Sequence, residues 1–261
     1  MKTKKKLIIN AVEISDYAAE GKSIAKVDGK VIFVKGAVPG DVVDIQLLKS
    51  KKDWGEGQIL RYHKLSDRRV EPFCRHFGVC GGCSWQMIPY QEQLAYKQRQ
   101  VTDHLTRIGK VELPPMNPIL GCTEIVNYRN KLEFTFSNKK YFTEEEFRQR
   151  DPGLPFEPAL GYHIPKWFDK VIDIYECHLQ AEPSNAIRNY VREIAVNNGF
   201  SFYDIRNHQG FLRNLVVRYA RTGELMINLC VGYEDRDAIN FIASRLLERF
   251  PEITTFLYTV N

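Results

Sequence analysis

The sequence has 261 residues, 44% hydrophobic and 26% charged, which is the balance of an ordinary globular chain with material for one large domain or two or three smaller ones. No apolar run approaches the roughly 18 residues of a membrane span, and the basic start MKTKKKLIIN is too short in apolar residues for a signal peptide. A cytoplasmic protein is expected, with no membrane and no obligate protein partner. The net charge of +5 is unevenly placed: residues 1–65 hold 13 Lys and Arg against 8 Asp and Glu, and the remainder holds 24 of each. A basic first quarter predicts an anionic partner, nucleic acid being the usual one. A solvated tail accounts for Lys2 to Lys6, but less well for Lys49, Lys51 and Lys52, which sit between strand-like runs.

In chain order, Leu7–Ile14, Ser23–Val27, Val31–Val34, the alternating Val43, Ile45 and Leu47, and Gln58–Tyr62 read as five short strands. Asp28-Gly29 is a strong hairpin signal, and Val38-Pro39-Gly40-Asp41 is a second turn. Five strands in about 60 residues suit a small all-β, OB-like barrel, whose loops often bind oligonucleotides. The loop Lys49-Ser-Lys51-Lys52-Asp-Trp54 offers cations for phosphates and an indole for base stacking. Trp54 plugging one barrel end is an equal alternative.

Residues 66–72 are charged and aperiodic and read as a linker into Cys74-Arg-His-Phe-Gly-Val-Cys80-Gly-Gly-Cys83. Residues 89–108 predict a long helix with a narrow apolar stripe of Leu94, Val101, Leu105 and Ile108, ended by Gly109. Lys97, Arg99 and Arg107 read as its solvated face. The proline-rich 111–121 reads as an extended crossover. From 127 onward a mainly antiparallel α+β domain is expected. It has a strand at 127–136, an exposed excursion at 139–158, and strands at 159–164, 171–175, 211–219, 225–231 and 253–260. A helix opens at Pro183 with Ile187, Tyr190, Val191, Ile194 and Ala195 on one face. A last helix is capped by Asp235, with Ile239, Ile242, Leu246 and Phe250 inward. The domains are thus expected at 1–65 and 66–261.

Three cysteines within ten residues, with Gly81 and Gly82 allowing a tight fold between the last two, predict ligation of a soft metal. A fourth ligand is needed, and Cys177 in Tyr-Glu-Cys177-His-Leu is the best placed. Zinc and iron–sulfur both accept four thiolates, so the residues alone leave the choice open. Cys230, in an apolar run, reads as core filling, and Cys122 as a loop thiol. His76 and His178 flank ligand cysteines without serving as ligands. No glycine-rich turn joins a parallel strand to a helix as a nucleotide-type donor site would need, and no catalytic residue is assigned. Cys122 as a nucleophile is the rival view. Arg129 and Lys131 on the polar face of the 127–136 strand are candidate RNA contacts. Arg213 and Arg218 in GFLRNLVVR are weaker ones, placed by alternation on opposite faces.

CRHFGVCGGCSWQ and IYECHLQ resemble the four-iron, four-sulfur cluster signature of the RNA uracil-5-methyltransferase family, in its ribosomal-RNA branch. GKSIAKVDGKVIFVKGAVPGDVV resembles a TRAM domain, and NYRNKLEF and GFLRNLVVR resemble central-domain segments of that family. The resemblance implies a 4Fe-4S cluster on Cys74, Cys80, Cys83 and Cys177, 23S ribosomal RNA as partner, and S-adenosylmethionine as methyl donor of the complete protein. It also implies that the donor domain follows where this chain stops, leaving the chain alone inactive. A stand-alone RNA-binding protein with a structural metal centre, a tRNA-directed enzyme and a redox iron–sulfur protein are the alternatives.

Overall fold

A computed structural model describes residues 7–154, 156–165 and 167–261. The Lys2–Lys6 tail, and Pro155 within the expected excursion, lie outside the described residues. By compactness the chain forms two units, Met1–Gly78 with Cys83–Thr123, and Val79–Gly82 with Glu124–Asn261.

In the first unit all five expected strands form. β1 (Ile8–Tyr17), β2 (Lys22–Val27), β3 (Lys30–Lys35), β4 (Val42–Ser50) and β5 (Trp54–Lys64) close into a barrel in the order β1-β2-β3-β5-β4. Alternation turns Val12, Ile14, Ala25, Ile32, Val34, Val43 and Ile45 into its interior. Asp28 and Gly29 have φ of +48° and +75°, the left-handed pair that a type I′ hairpin needs.

The turn at Val38–Asp41 also fixes where the chain goes next. Asp41 is fully buried. Its carboxylate accepts from the Val38 and Ser66 N–H groups at 2.7 and 2.9 Å, and from Arg69 Nε and Nη2 at 2.9 and 2.6 Å. The Ser66 hydroxyl donates to the Pro39 carbonyl at 2.7 Å. Residues 66–72 are therefore fastened to the barrel and are not a loose linker. The break in compactness accordingly falls after Thr123 and not after residue 65.

α1 (Tyr90–Asp103) continues to Ile108 in a wider turn, where the Gly109 N–H reaches the His104 carbonyl five residues back at 2.8 Å. The left-handed residue that follows is Lys110, with φ of +55°, and not Gly109. No residue of α1 is buried, and Val101, Leu105 and Ile108 stay exposed. The helix meets its unit through Tyr96, whose ring centroid lies 4.1 Å from that of Tyr17 beside Trp85, Met87 and Ile88. Arg99 is not simply solvated: it pairs with Asp16 and lies 4.9 Å over the Tyr96 ring. The proline-rich segment runs back along α1. Gln98 holds it by donating to the Asn117 carbonyl at 3.1 Å and accepting from the Ile119 N–H at 2.8 Å.

The second unit is a six-stranded sheet. Its strands are β6 (Lys131–Ser137), β7 (Ala159–Ile164), β8 (Trp167–Asp173), β9 (Leu212–Tyr219), β10 (Leu225–Val231) and β11 (Ile253–Val260), in the order β11-β10-β9-β6-β7-β8. Among the described strands of this sheet only β10 and β11 pair parallel. The expected excursion contains a short α2 (Glu144–Gln149), opened by a capping box of Thr143 and Glu146. α3 (Ser184–Asn197) precedes β9, and α4 (Arg236–Arg249) carries the chain from β10 to β11. Leu132, Phe134, Phe136, Leu215, Val217, Ile227 and Leu229 of the sheet are buried, as are Ile187, Val191 and Ile194 of α3 and Ile239, Ile242 and Leu246 of α4.

Two expectations shift here. The first strand begins at Lys131, because Asn127 takes a φ of +55° and the Asn127 and Arg129 N–H groups bond the His178 and Leu179 carbonyls at 2.8 and 2.7 Å. Tyr128 is consequently exposed. Cys230 is not core filling: alternation sends Leu229 and Val231 inward and leaves Cys230 half-buried on the opposite face.

Replacing Asp41 by Ala orphans the Val38 and Ser66 N–H groups and the Arg69 guanidinium together. Urea unfolding is expected to show about 3 kcal/mol less stability; an unchanged midpoint would mean the buried carboxylate is not holding residues 66–72.

Candidate functional site

The cysteine loop opens with a turn in which the Phe77 N–H bonds the Cys74 carbonyl at 3.0 Å, while the Cys74 N–H donates to Gln86 Oε1 at 3.2 Å. The left-handed glycine of this loop is Gly78, with φ of +86°. Gly81 and Gly82 do not adopt that conformation. Gly81 is instead demanded by close approach, since a Cβ there would lie 2.8 Å from Pro165 Cγ. Cys74 and Cys83 belong to the first unit, and Cys80 and Cys177 to the second. Among the described residues no three His, Cys, Asp or Glu side chains are gathered as a metal site, and no disulfide is formed.

The structure does gather a polar knot around Cys177, which is itself buried. Asn185, in the first turn of α3, clamps its backbone: Asn185 Oδ1 accepts the Cys177 N–H at 2.7 Å and Asn185 Nδ2 donates to the Cys177 carbonyl at 3.2 Å. The Tyr162 hydroxyl of β7 reaches Cys177 Sγ at 4.0 Å. Burial pushes the Tyr162 phenol far above its usual range, and the Cys177 and Cys80 sulfurs push it the same way. The phenol therefore stays protonated and donates. Tyr162 stacks at 5.3 Å on Phe134, which carries the Arg188 guanidinium over its ring at 5.1 Å. Arg188 Nη1 returns to Asn185 Oδ1 at 2.8 Å.

Sequence reasoning missed Tyr162, Asn185 and Arg188. The available signal was a cation in the buried stripe of α3, where Ser184, Arg188, Val191 and Ala195 recur at three- and four-residue steps.

A second feature is the hairpin joining β4 to β5. The Lys49 ammonium lies 4.9 Å over the Trp54 ring, which also packs edge-on against Phe33 at 6.4 Å. Phe33 lies between the inward Ile32 and Val34, so Trp54 sits on the outer surface and does not plug the barrel. Lys49, Lys51 and Lys52 are exposed, and among the described residues no carboxylate pairs with them. In the second unit Lys131 and Arg218 are both exposed and directly opposite one another across β6 and β9. Lys131 also lies 3.6 Å from Glu133. Arg129 is exposed just before β6. Arg213 is skipped by the β9–β10 register and packs over Tyr203 at 4.2 Å, so it is held by structure more than offered to solvent. Cys122 is exposed, with its N–H on the Tyr90 hydroxyl at 2.8 Å.

Among the described residues the one parallel strand-to-helix turn, after β10, is closed. The Gly232 N–H bonds the Phe211 carbonyl at 2.7 Å, and a Cβ on Gly232 would lie 2.3 Å from the Gly210 carbonyl. A nucleotide-type donor does not fit there. Among the described residues no helix is long and apolar enough to cross a membrane.

Comparison with known proteins places these features. Residues 10–60 match the TRAM domain family. An uncharacterized RNA methyltransferase of Bacteroides thetaiotaomicron is 51% identical over 247 residues, covering 94% of this chain and 54% of that protein. One of Porphyromonas gingivalis is 46% identical over 254 residues, covering 96% and 55%. The tRNA (uracil-54, C5)-methyltransferase of Pyrococcus abyssi, solved with S-adenosyl-L-homocysteine, shares the fold. Its TM-score is 0.60 at 20% identity, over 97% of this chain and 51% of that one. The chain thus spans about half the length of the relatives it matches.

Asn185→Ala would leave the Cys177 N–H and one arm of Arg188 without their shared acceptor. A loss of about 2 kcal/mol in urea unfolding is expected, with faster hydrogen exchange at the Cys177 amide as the local readout. Wild-type exchange at that amide would show that the clamp does not hold it.

Proposed function

We propose that the chain belongs to the RNA uracil-5-methyltransferase family, which the matching TRAM segment and the relatives named RNA methyltransferase support, and that it holds and orients RNA for methylation of a uridine at C5, with 23S ribosomal RNA as the substrate. The observation that carries the RNA-holding role is the β4–β5 hairpin, with its three exposed, unpaired lysines and the Lys49–Trp54 pair on the outer wall of a TRAM barrel. Cations there neutralise phosphates, and an outward indole offers a face for a base. The Lys131 and Arg218 pair across β6 and β9 adds a second basic spot. Arg129 beside it is a further contact in this reading, with Arg213 the weakest.

We assign a 4Fe-4S cluster to Cys74, Cys80, Cys83 and Cys177. Its support is the spacing of the first three, the likeness of both segments to the family signature, and the burial of Cys177. When bound, the cluster supplies a cross-link between distant parts of the chain. The methyl donor is S-adenosylmethionine, and no donor site is assigned to the described residues, because their one parallel strand-to-helix turn is closed.

Two experiments test this. Binding to a ribosomal-RNA fragment is expected to fall with salt, and the Lys49/Lys51/Lys52 triple alanine should reduce the slope of log affinity against log salt by roughly 2. An unchanged slope removes the hairpin from the interface, and equal affinity for tRNA removes the ribosomal assignment. Protein purified anaerobically is expected to be brown with about four irons per chain and to give no calorimetric signal with S-adenosylmethionine. Stoichiometric zinc without iron would replace the cluster, and micromolar donor binding would show that this chain does hold a donor site.

A further inference from the structure

Within the first unit, the ion pair of Asp16 and Arg99 ties the end of β1 to α1, and a cleft opens on each side of it. The smaller cleft, of about 220 Å³, is lined by Tyr17, Trp85, Tyr96, Arg99, His104 and Arg107. That is more than ten times the roughly 10–15 Å³ that lodges one water. The larger, of about 830 Å³, has Lys26, Lys64 and Arg68 in its wall and shares Tyr96 and Arg99 with the first. Neither coincides with the lysine hairpin. Ser50 opposite Gly55 lies at that hairpin, whereas Val42, opposite both Lys64 and Glu13, marks the far end of β4, where the larger cleft begins.

The smaller cleft has an aromatic wall, with the Tyr17 ring 5.3 Å from Trp85 and 4.1 Å from Tyr96. Two hydrogen-bond donors of this wall, the Tyr17 hydroxyl and Trp85 Nε1, have no partner, although Tyr17 is only 7% exposed. Buried donors without acceptors are uncommon in folded proteins. Burial holds the Tyr17 phenol far above its usual range, so it keeps its proton. Around the wall stand exposed cations, His104 and Arg107 on one side and Lys26, Lys64 and Arg68 on the other. Arg68 is kept in place by donating from Nη1 to the Tyr96 hydroxyl at 3.1 Å. Carboxylates are present too: Asp16 pairs with Arg99, Asp103 with Arg107 at 3.1 Å, and Glu13 and Asp67 line the larger cleft. Ion pairs this exposed are worth little, so a phosphate can take the place of either paired carboxylate at small cost.

We infer that these clefts form a second RNA site, distinct from the hairpin. One base of a single-stranded segment enters the smaller cleft against Trp85, and the flanking phosphates lie on Arg107, Arg99 and Arg68 as the strand follows the larger one. The inference rests on RNA being the partner of this chain. Stacking on aromatic side chains with cations along the backbone is how single strands are held, and the carbonyl edge of a base supplies the acceptors that the two idle donors lack. An acidic peptide would satisfy the cations but brings no flat, acceptor-edged group to the aromatic wall.

The test measures binding of a short labelled oligouridylate to the full chain by fluorescence anisotropy across a salt series, with photo-cross-linking to a 4-thiouridine version of the same strand. The parent is compared with the Arg68→Gln/Arg99→Gln/Arg107→Gln triple variant, with Trp85→Phe and with the Lys49/Lys51/Lys52 triple alanine, each checked by circular dichroism. The arginine triple variant is expected to lower the slope of log affinity against log salt by roughly 2, independently of the lysine triple, and cross-links are expected at Trp85 or Tyr96. Trp85→Phe, which keeps a ring and removes the donor, is expected to weaken binding several-fold with the slope unchanged. An arginine triple variant with the parent's affinity and slope, or cross-links confined to the hairpin, would overturn the inference and leave the hairpin reading intact. Displacement of the RNA by polyglutamate at equal charge would also overturn it, leaving a general anion surface. A parent chain that binds no RNA removes the RNA reading and this inference together. Should Trp85→Phe fail to fold, the arginine variant, altered only at exposed positions, and the cross-links decide the matter.

Discussion

A carboxylate with no access to water organises the first half of the molecule. Asp41 satisfies two backbone N–H groups and one guanidinium at once, and a buried charge is tolerable only when so fully matched. One of its partners, Val38, lies in the barrel turn; the other two, Ser66 and Arg69, lie beyond the last barrel strand. The barrel therefore does not end where its strands end. The chain leaves β5 and is turned back against the barrel before it reaches the cysteine loop. Tyr17, Val38, Met87 and Ile88 then form a second small core under α1, so the helix and its proline-rich return belong with the barrel.

The second unit handles charge differently. Its sheet buries large apolar side chains, Phe134 and Phe136 among them, and α3 lays a stripe into this core that is apolar except at Ser184 and Arg188. Amides and aromatic faces surround the guanidinium, and burial pulls it below its usual basicity, opposed by the Cys177 sulfur, the Tyr162 phenol, and the Glu182 and Asp173 carboxylates. Asp41 and Arg188 are thus two buried charges of opposite sign in different states. One is ion-paired within the fold, and the other is held by amide oxygens and an aromatic face.

The basic features follow a third logic. Lys49, Lys51 and Lys52 are left in water on a tight hairpin, where a cation costs little and keeps its reach toward phosphates. Trp54 is held there by Phe33 on one side and Lys49 on the other, so an indole that would otherwise seek a core remains on the surface in a fixed place. A flat aromatic face with cations around it accepts any base, which suits holding an RNA more than reading its sequence.

The sequence by itself determined what depends on local pattern. Alternation located the barrel strands, the Asp28-Gly29 pair set its hairpin, and Asp235 with Ile239, Ile242 and Leu246 defined α4. These are decided by neighbours a few residues apart, through steric limits on φ and the periods of strand and helix. Tertiary structure decided whatever depended on partners far along the chain. Residues 66–72 look like a linker until Asp41, 25 residues before Ser66, is seen to hold them. Asn127–Asn130 continue a polar–apolar alternation, yet the carbonyls of His178 and Leu179 take their N–H groups and delay the strand. Gly81 is a glycine because Pro165 lies against it, not because of its own φ. Three cysteines suggest a metal centre by spacing alone, yet among the described residues no three such side chains are gathered as a metal site. The surroundings of Cys177 came from β7 and α3, and a pattern read along one segment cannot register a cation that becomes buried only when those elements meet.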